Sequence, residues 1–180
     1  MNFVAWMIVA CEIAFWVVIA AGLLARYFLK LPKLGLILLA LTPVVDLVLL
    51  IITGLDLYRG ATATTAHAIA AVYIGVSVAY GKSMIQWADT RFRYYIAKQP
   101  EAKPVKRYGT DFAKHYLKGF FRHILAFLIG AGLLAGLIYW IDDPIRTEKL
   151  MGVLRLWGVV LGVDFLITCS YFIWPKPAKP

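Results

Sequence analysis

The feature that most constrains this chain is a block of about twenty apolar residues, poor in charge, that recurs five times within 180 residues. Twenty residues of helix is the length that crosses a hydrocarbon core of about 30 Å. The pattern predicts spans at about 3–24, 34–55, 64–85, 123–141 and 151–174. A soluble chain of this size could not cover five helices, apolar all round, with polar surface. Composition agrees: 62% of the residues are hydrophobic and 16% charged, where ordinary soluble domains hold about a quarter charged. The expected fold is an all-α polytopic transmembrane bundle forming one domain.

Orientation follows from charge. Fifteen of the nineteen basic residues fall on one side: Arg26, Lys30, Lys33, Lys176, Lys179 and the ten between Lys82 and Arg122. Arg59, Arg146, Lys149 and Arg155 fall on the other. Positive charge collects in cytoplasmic connections, so the N-terminus is expected outside and the C-terminus in the cytoplasm. The net charge of +9 reads as this asymmetry rather than as a nucleic-acid surface, since the basic residues track one membrane face. The first apolar run has no positive residues before it and three after it, the reverse of a secretory signal.

The cytoplasmic connection, residues 86–122, is expected to hold amphipathic helices. Met84, Trp87, Ala88, Phe92 and Tyr95 recur at helical spacing, then Pro100 and Pro104 break the pattern among lysines. Phe112, Tyr116, Leu117, Phe120 and Ile124 form a second stripe, with Thr110 or Asp111 as a candidate N-cap. Lys103, Lys106, Arg107, Lys114 and Lys118 make this segment basic. Basic amphipathic helices beside spans lie on anionic lipid. The blander reading is that they only anchor the spans.

The chemistry-bearing residues are the acids inside spans, Glu12, Asp46 and Asp164, since a charge at mid-helix costs about 2.5–3.5 kcal/mol unless paired or neutralised. Thr42, Asp46, Thr53 and Asp56 share one helical stripe, and Pro43 should kink the helix beside Asp46. Glu12 and Asp46 sit at similar depth. With Asp56, Arg59, His67 and Arg155 they could form one outward-opening polar cluster. Its sharp reading is a proton-, cation- or metal-binding site of Glu12, Asp46 and His67. Its bland reading is a set of interhelical hydrogen bonds of about 0.6 kcal/mol each. Three candidate ligands from separate spans do not amount to a metal site. Asp164 shares a face with Trp157, Leu161, Thr168 and Tyr171 and is expected to pair with Thr, Tyr or a carbonyl.

Small residues at four-residue spacing (Ala71, Gly75 and Ala79; Gly132 and Gly136; Gly158 and Gly162) predict close helix packing. Cys11 and Cys169 lie at different depths and read as small core residues. His67, His115 and His123 do not match in depth as a haem pair would require. No phosphate loop, zinc-protease motif, Cys-x-x-Cys cluster or nucleophile elbow is present, so no cofactor is expected.

The run Asp56-Leu-Tyr-Arg-Gly60-Ala-Thr-Ala-Thr-Thr-Ala-His67, continued by Ala70-Ala-Val-Tyr-Ile-Gly75 and Trp87-Ala-Asp-Thr-Arg-Phe92, resembles the YmcC-like family of small bacterial integral membrane proteins. The stretches Ala10-Cys-Glu-Ile13 and Thr42-Pro-Val-Val-Asp46 resemble it too. The resemblance covers nearly the whole chain. It implies a bacterial cytoplasmic membrane protein, marks the region of Glu12, Asp46 and His67, and implies no activity. Three functional readings follow. The first is a non-enzymatic protein associating with anionic lipid head groups or another membrane protein. The second is an ion- or proton-coupled transporter using the intramembrane acids, which with five spans would need to oligomerise. The third is a membrane-embedded lipid- or quinone-linked enzyme.

Overall fold

A computed structural model describes residues 3–95, 98, 100–103 and 106–177. Within its helices, the side chains of residues 3–5, 7–9, 11, 12, 15, 46, 53, 88, 92 and 102 lie outside the description. The described chain is built from five long helices: α1 (Phe3–Tyr27), α2 (Pro32–Tyr58), α3 (Thr65–Tyr95), α4 (Gly109–Ile141) and α5 (Glu148–Ile173). A single 3-10 turn, Pro100–Ala102, interrupts the connection between α3 and α4. Among the described residues α2, α3, α4 and α5 are long and apolar enough to cross a membrane, and α1 adds a shorter apolar stretch, Trp16–Tyr27. This is the expected all-α membrane bundle.

The helices run alternately up and down, which gives the bundle two unlike ends. One is the short-loop end, with connections 59–64 and 142–147. The other is the basic end, with connections 28–31 and 96–108. At the basic end α3 and α4 run on past their apolar spans, so the amphipathic stripes are continuous with the membrane helices. α4 starts at Gly109 after Tyr108, with no side-chain cap, so neither Thr110 nor Asp111 is the N-cap.

The packed core lies toward the short-loop end. Leu50, Leu57, Ala63, Ala68, Ala71, Ile74, Leu134 and Leu150 form its buried cluster, drawn from α2, α3, α4, α5 and the loop before α3. α1 packs along α2 and meets the rest chiefly through side chains at the basic end. Many outward Leu, Val, Ile and Phe side chains are exposed, as lipid-facing surfaces must be when tails are as apolar as the side chains.

Small residues set the closest approach, though fewer of them than the spacing predicts. A Cβ on Gly75 would collide with the carbonyl of Ala126, and one on Gly130 would lie 2.9 Å from the carbonyl of Ala71 and against the Trp157 ring. α3, α4 and α5 therefore meet at Gly75, Gly130 and Trp157. Gly132, Gly136, Gly158 and Gly162 face open space, because the rotation that buries Gly130 and Trp157 turns those stripes outward.

Candidate functional site

The structure separates the polar residues into three groups. The first is at the short-loop end. His67 is 3% exposed, and its Nδ1 accepts a hydrogen bond from the Thr64 amide at 3.2 Å, helping to satisfy the start of α3. The 142–147 turn is held by Asp143, whose Oδ1 accepts from the amides of Ile145 and Arg146 at 3.0 and 3.1 Å. Asp142 ends α4 in the left-handed conformation, φ 50°, which an aspartate tolerates better than most residues. Arg146 ties this turn to the other short loop: its Nε donates to the Ala61 carbonyl at 2.9 Å, and its carbonyl accepts from the Ala63 amide at 2.8 Å. Its Nη2 is buried without a partner among the described residues. Beside the turn lies an open cleft of about 520 Å³ bordered by Thr65, Asp142, Asp143, Thr147, Lys149 and Arg155.

The expected outward cluster is only partly assembled. Asp56 is half-buried at the end of α2, and Arg59 and Arg155 are exposed. The salt bridges among the described residues lie elsewhere. Glu12 and Asp46 are on the neighbouring helices α1 and α2, with side chains outside the described ones. No group of three or more metal-ligating side chains gathers among the described residues.

The second group is a row between α4 and α5. His123 Nδ1 lies 2.8 Å from Asp164 Oδ2, and Trp157 Nε1 donates to His123 Nε2 at 3.1 Å. Tyr116 donates to Asp164 Oδ1 at 3.2 Å, and Thr168 to the Asp164 backbone carbonyl at 2.7 Å. The indole N–H can only donate, so Nε2 is the bare nitrogen and Nδ1 carries the proton toward the carboxylate. His123 lies roughly 27 Å before the end of α4, at about 1.5 Å per residue, which puts the row near the basic rim of the apolar slab. Tyr116 as a partner follows the sequence expectation for Asp164. His123 does not, and the available signal was a histidine and an aspartate on consecutive antiparallel helices.

The third group is the basic end. All ten basic side chains from Lys82 to Arg122 are exposed. Lys103, Lys106, Arg107, Lys114 and Lys118 have no acidic partner at ion-pair distance among the described residues. Arg91 lies over the exposed Trp87 ring at 4.3 Å, and Lys176 over Phe112 at 4.6 Å. The His115 pKa is lowered by burial and by Arg107, Arg122 and Lys118. Below this surface Arg26 joins α1 to α3. Its Nε donates to Asp89 Oδ1 at 2.7 Å, its other arm pairs with Oδ2, and Tyr27 donates to the same carboxylate at 3.1 Å. The Arg26 hydrogen bonds hold Asp89 below its ordinary carboxylate value. An acid among the cations of the α3 extension was the readable sign of this pair.

A membrane bundle with these three polar groups can be compared with known proteins. YmcC of Bacillus subtilis (strain 168), described as an uncharacterized membrane protein, is 66% identical over 179 residues, covering 99% of this chain and 96% of that protein. The chain belongs to the YmcC family. No family model matches it, and no solved structure matches it. As a YmcC-family member it is a membrane protein, in agreement with its apolar helices.

Proposed function

We propose that the protein acts by association rather than by catalysis, holding anionic lipid head groups on the basic end of its bundle at the cytoplasmic face of a bacterial membrane. The observation that carries this reading is the exposure of all ten basic side chains between Lys82 and Arg122, on the ends of α3 and α4 that leave the apolar slab and on the connection between them. Against them stand Asp89, already paired, and the exposed Glu101 and Asp111. Each Lys or Arg near an anionic surface contributes about 1 kcal/mol. Exposed Trp87 and Tyr95 suit the head-group level, where aromatic residues anchor. The same asymmetry supports an external N-terminus and a cytoplasmic C-terminus.

The test is lipid retention by the purified protein, read by native mass spectrometry in mixed phosphatidylglycerol and phosphatidylcholine. Wild type should keep phosphatidylglycerol preferentially. The triple variant Lys103→Glu, Lys106→Glu, Arg107→Glu should lose about a hundredfold of that preference, three contributions of about 1 kcal/mol each. Equal retention of both lipids by wild type, or an unchanged preference in the variant, sinks the reading. Retention of a protein partner in place of lipid, lost in the same variant, also overturns it.

A further inference from the structure

The row of Asp164, His123 and Trp157 is independent of the basic surface and carries a separate conclusion. His123 is engaged at both nitrogens, with Asp164 Oδ2 at 2.8 Å and Trp157 Nε1 at 3.1 Å. A catalytic base needs a free ring nitrogen facing a substrate, and the one that could serve is covered by the indole. That cover is a side chain rather than backbone. We propose that His123 is a proton-binding site of the carboxylate–imidazole type, with Trp157 as the gate over its accepting nitrogen.

The step is a simple protonation. A proton from water on the basic side adds to the Nε2 lone pair, and the Trp157 N–H to Nε2 hydrogen bond breaks. Two N–H groups cannot face each other, so the indole must withdraw. The imidazolium keeps its Nδ1–H on Asp164, and the hydrogen bond from a neutral ring to a carboxylate becomes an ion pair, stronger away from bulk water. Access is consistent with position: the side chains of His123 and Asp164 are 16% and 22% exposed and lie near the rim of the slab. Other titratable or charged groups face the site from each packed helix. They are Tyr80 of α3, whose hydroxyl donates to the Gly119 carbonyl at 2.8 Å, Tyr116 and the exposed Arg122 of α4, and Tyr171 of α5, tilted against Tyr116 with ring centroids 4.9 Å apart.

Loading the site changes more than one hydrogen bond. The Trp157 ring is 8% exposed, sits edge-on to Phe127 with centroids 5.4 Å apart, and fills the space over Gly130 where α3 also arrives. An indole that leaves His123 disturbs the crossing of α3, α4 and α5. Proton binding at the rim and helix packing in the slab are thereby coupled.

The experiment is nitrogen-15 NMR of the protein in lipid bilayers, labelled on His, Trp, Phe and Gly, from about pH 8 to about pH 5, the range in which histidines titrate. At the upper end His123 should show a bare Nε2 and a through-hydrogen-bond coupling to Trp157 Nε1. On acidification Nε2 should gain its proton and the coupling should vanish in the same transition, with Phe127 and Gly130 signals moving alongside. In Trp157→Phe, His123 should still take up the proton while the Gly130 signal no longer follows it. Three results overturn the proposal: an Nε2–H tautomer at pH 8, a His123 that stays neutral to pH 5, or protonation with the Trp157 coupling intact. Should Trp157→Phe fail to fold, the wild-type titration alone decides, because all three results are read there.

Discussion

At the short-loop end two brief connections are stitched to each other through backbone groups, whereas at the basic end two helices overrun the slab and leave their cations in the open. Across the short loops Arg146 donates to the Ala61 carbonyl and accepts from the Ala63 amide. Leu57, Thr147 and Leu150 are almost wholly buried beneath them, and Tyr58 stacks on Trp140 at 5.5 Å. The opposite end is joined by Arg26 with Asp89 and by one backbone bond, Gly109 to Lys176 at 2.8 Å. The difference has a physical source. A tight turn that packs into the bundle must satisfy its own amides and carbonyls, so it becomes ordered and closed. A helix that leaves the membrane satisfies its backbone internally and can spend its side chains on a partner.

Four experiments would break or sharpen this contrast, in order of expected effect on stability. Gly75→Leu should be the worst, since its side chain would be driven into the Ala126 backbone. A loss of about 3 kcal/mol, read by thermal unfolding in detergent, is expected, and a variant as stable as wild type would deny that α3 and α4 touch there. Arg146→Ala removes the side-chain half of the stitch between the short loops and should cost about 1–2 kcal/mol by the same assay. Asp89→Asn at the basic end should cost less, about 0.5–1 kcal/mol, because that pair is partly solvated. The pair also has a pH signature. Asp89 has a folded pKa below its ordinary value of 3.8, so its contribution is present above about pH 4 and fades as the pH falls further. A wild-type acid limb that survives unchanged in Asp89→Asn would assign that limb to other acids. The reversal of Lys103, Lys106 and Arg107 should leave stability within about 0.5 kcal/mol while abolishing phosphatidylglycerol preference. A large loss of stability would mean that the basic end is structural after all.

Much of the fold was legible because the period of apolar residues and the bilayer thickness leave few alternatives. The long amphipathic continuation of α3 past Ile85 was readable in the same way; of the two expected breakers, Pro100 opens the 3-10 turn and Pro104 lies outside the described residues. The polar contacts were legible in part. Tyr116 reaches Asp164 as its residue type suggested, while Asp56, Arg59 and Arg155 form no salt bridge among the described residues. His67 accepts a hydrogen bond from the amide of Thr64, a contact that spacing along the helix did not announce. Depth along each helix can be counted from sequence, but rotation about its axis is fixed only by what the neighbouring helix presents.

By itself, then, the sequence determined an all-helical membrane chain, the approximate extent of each span and which end carries the charge, because those depend on length and composition along one helix at a time. Only the tertiary structure decided that Gly75 and Gly130, rather than Gly132, Gly136, Gly158 or Gly162, form the close crossings. It also decided that His123 stands between Asp164 and Trp157, and that Arg26 reaches Asp89. Those choices rest on contacts between helices, where a bulky indole over one glycine fixes the rotation that brings every other side chain to its place.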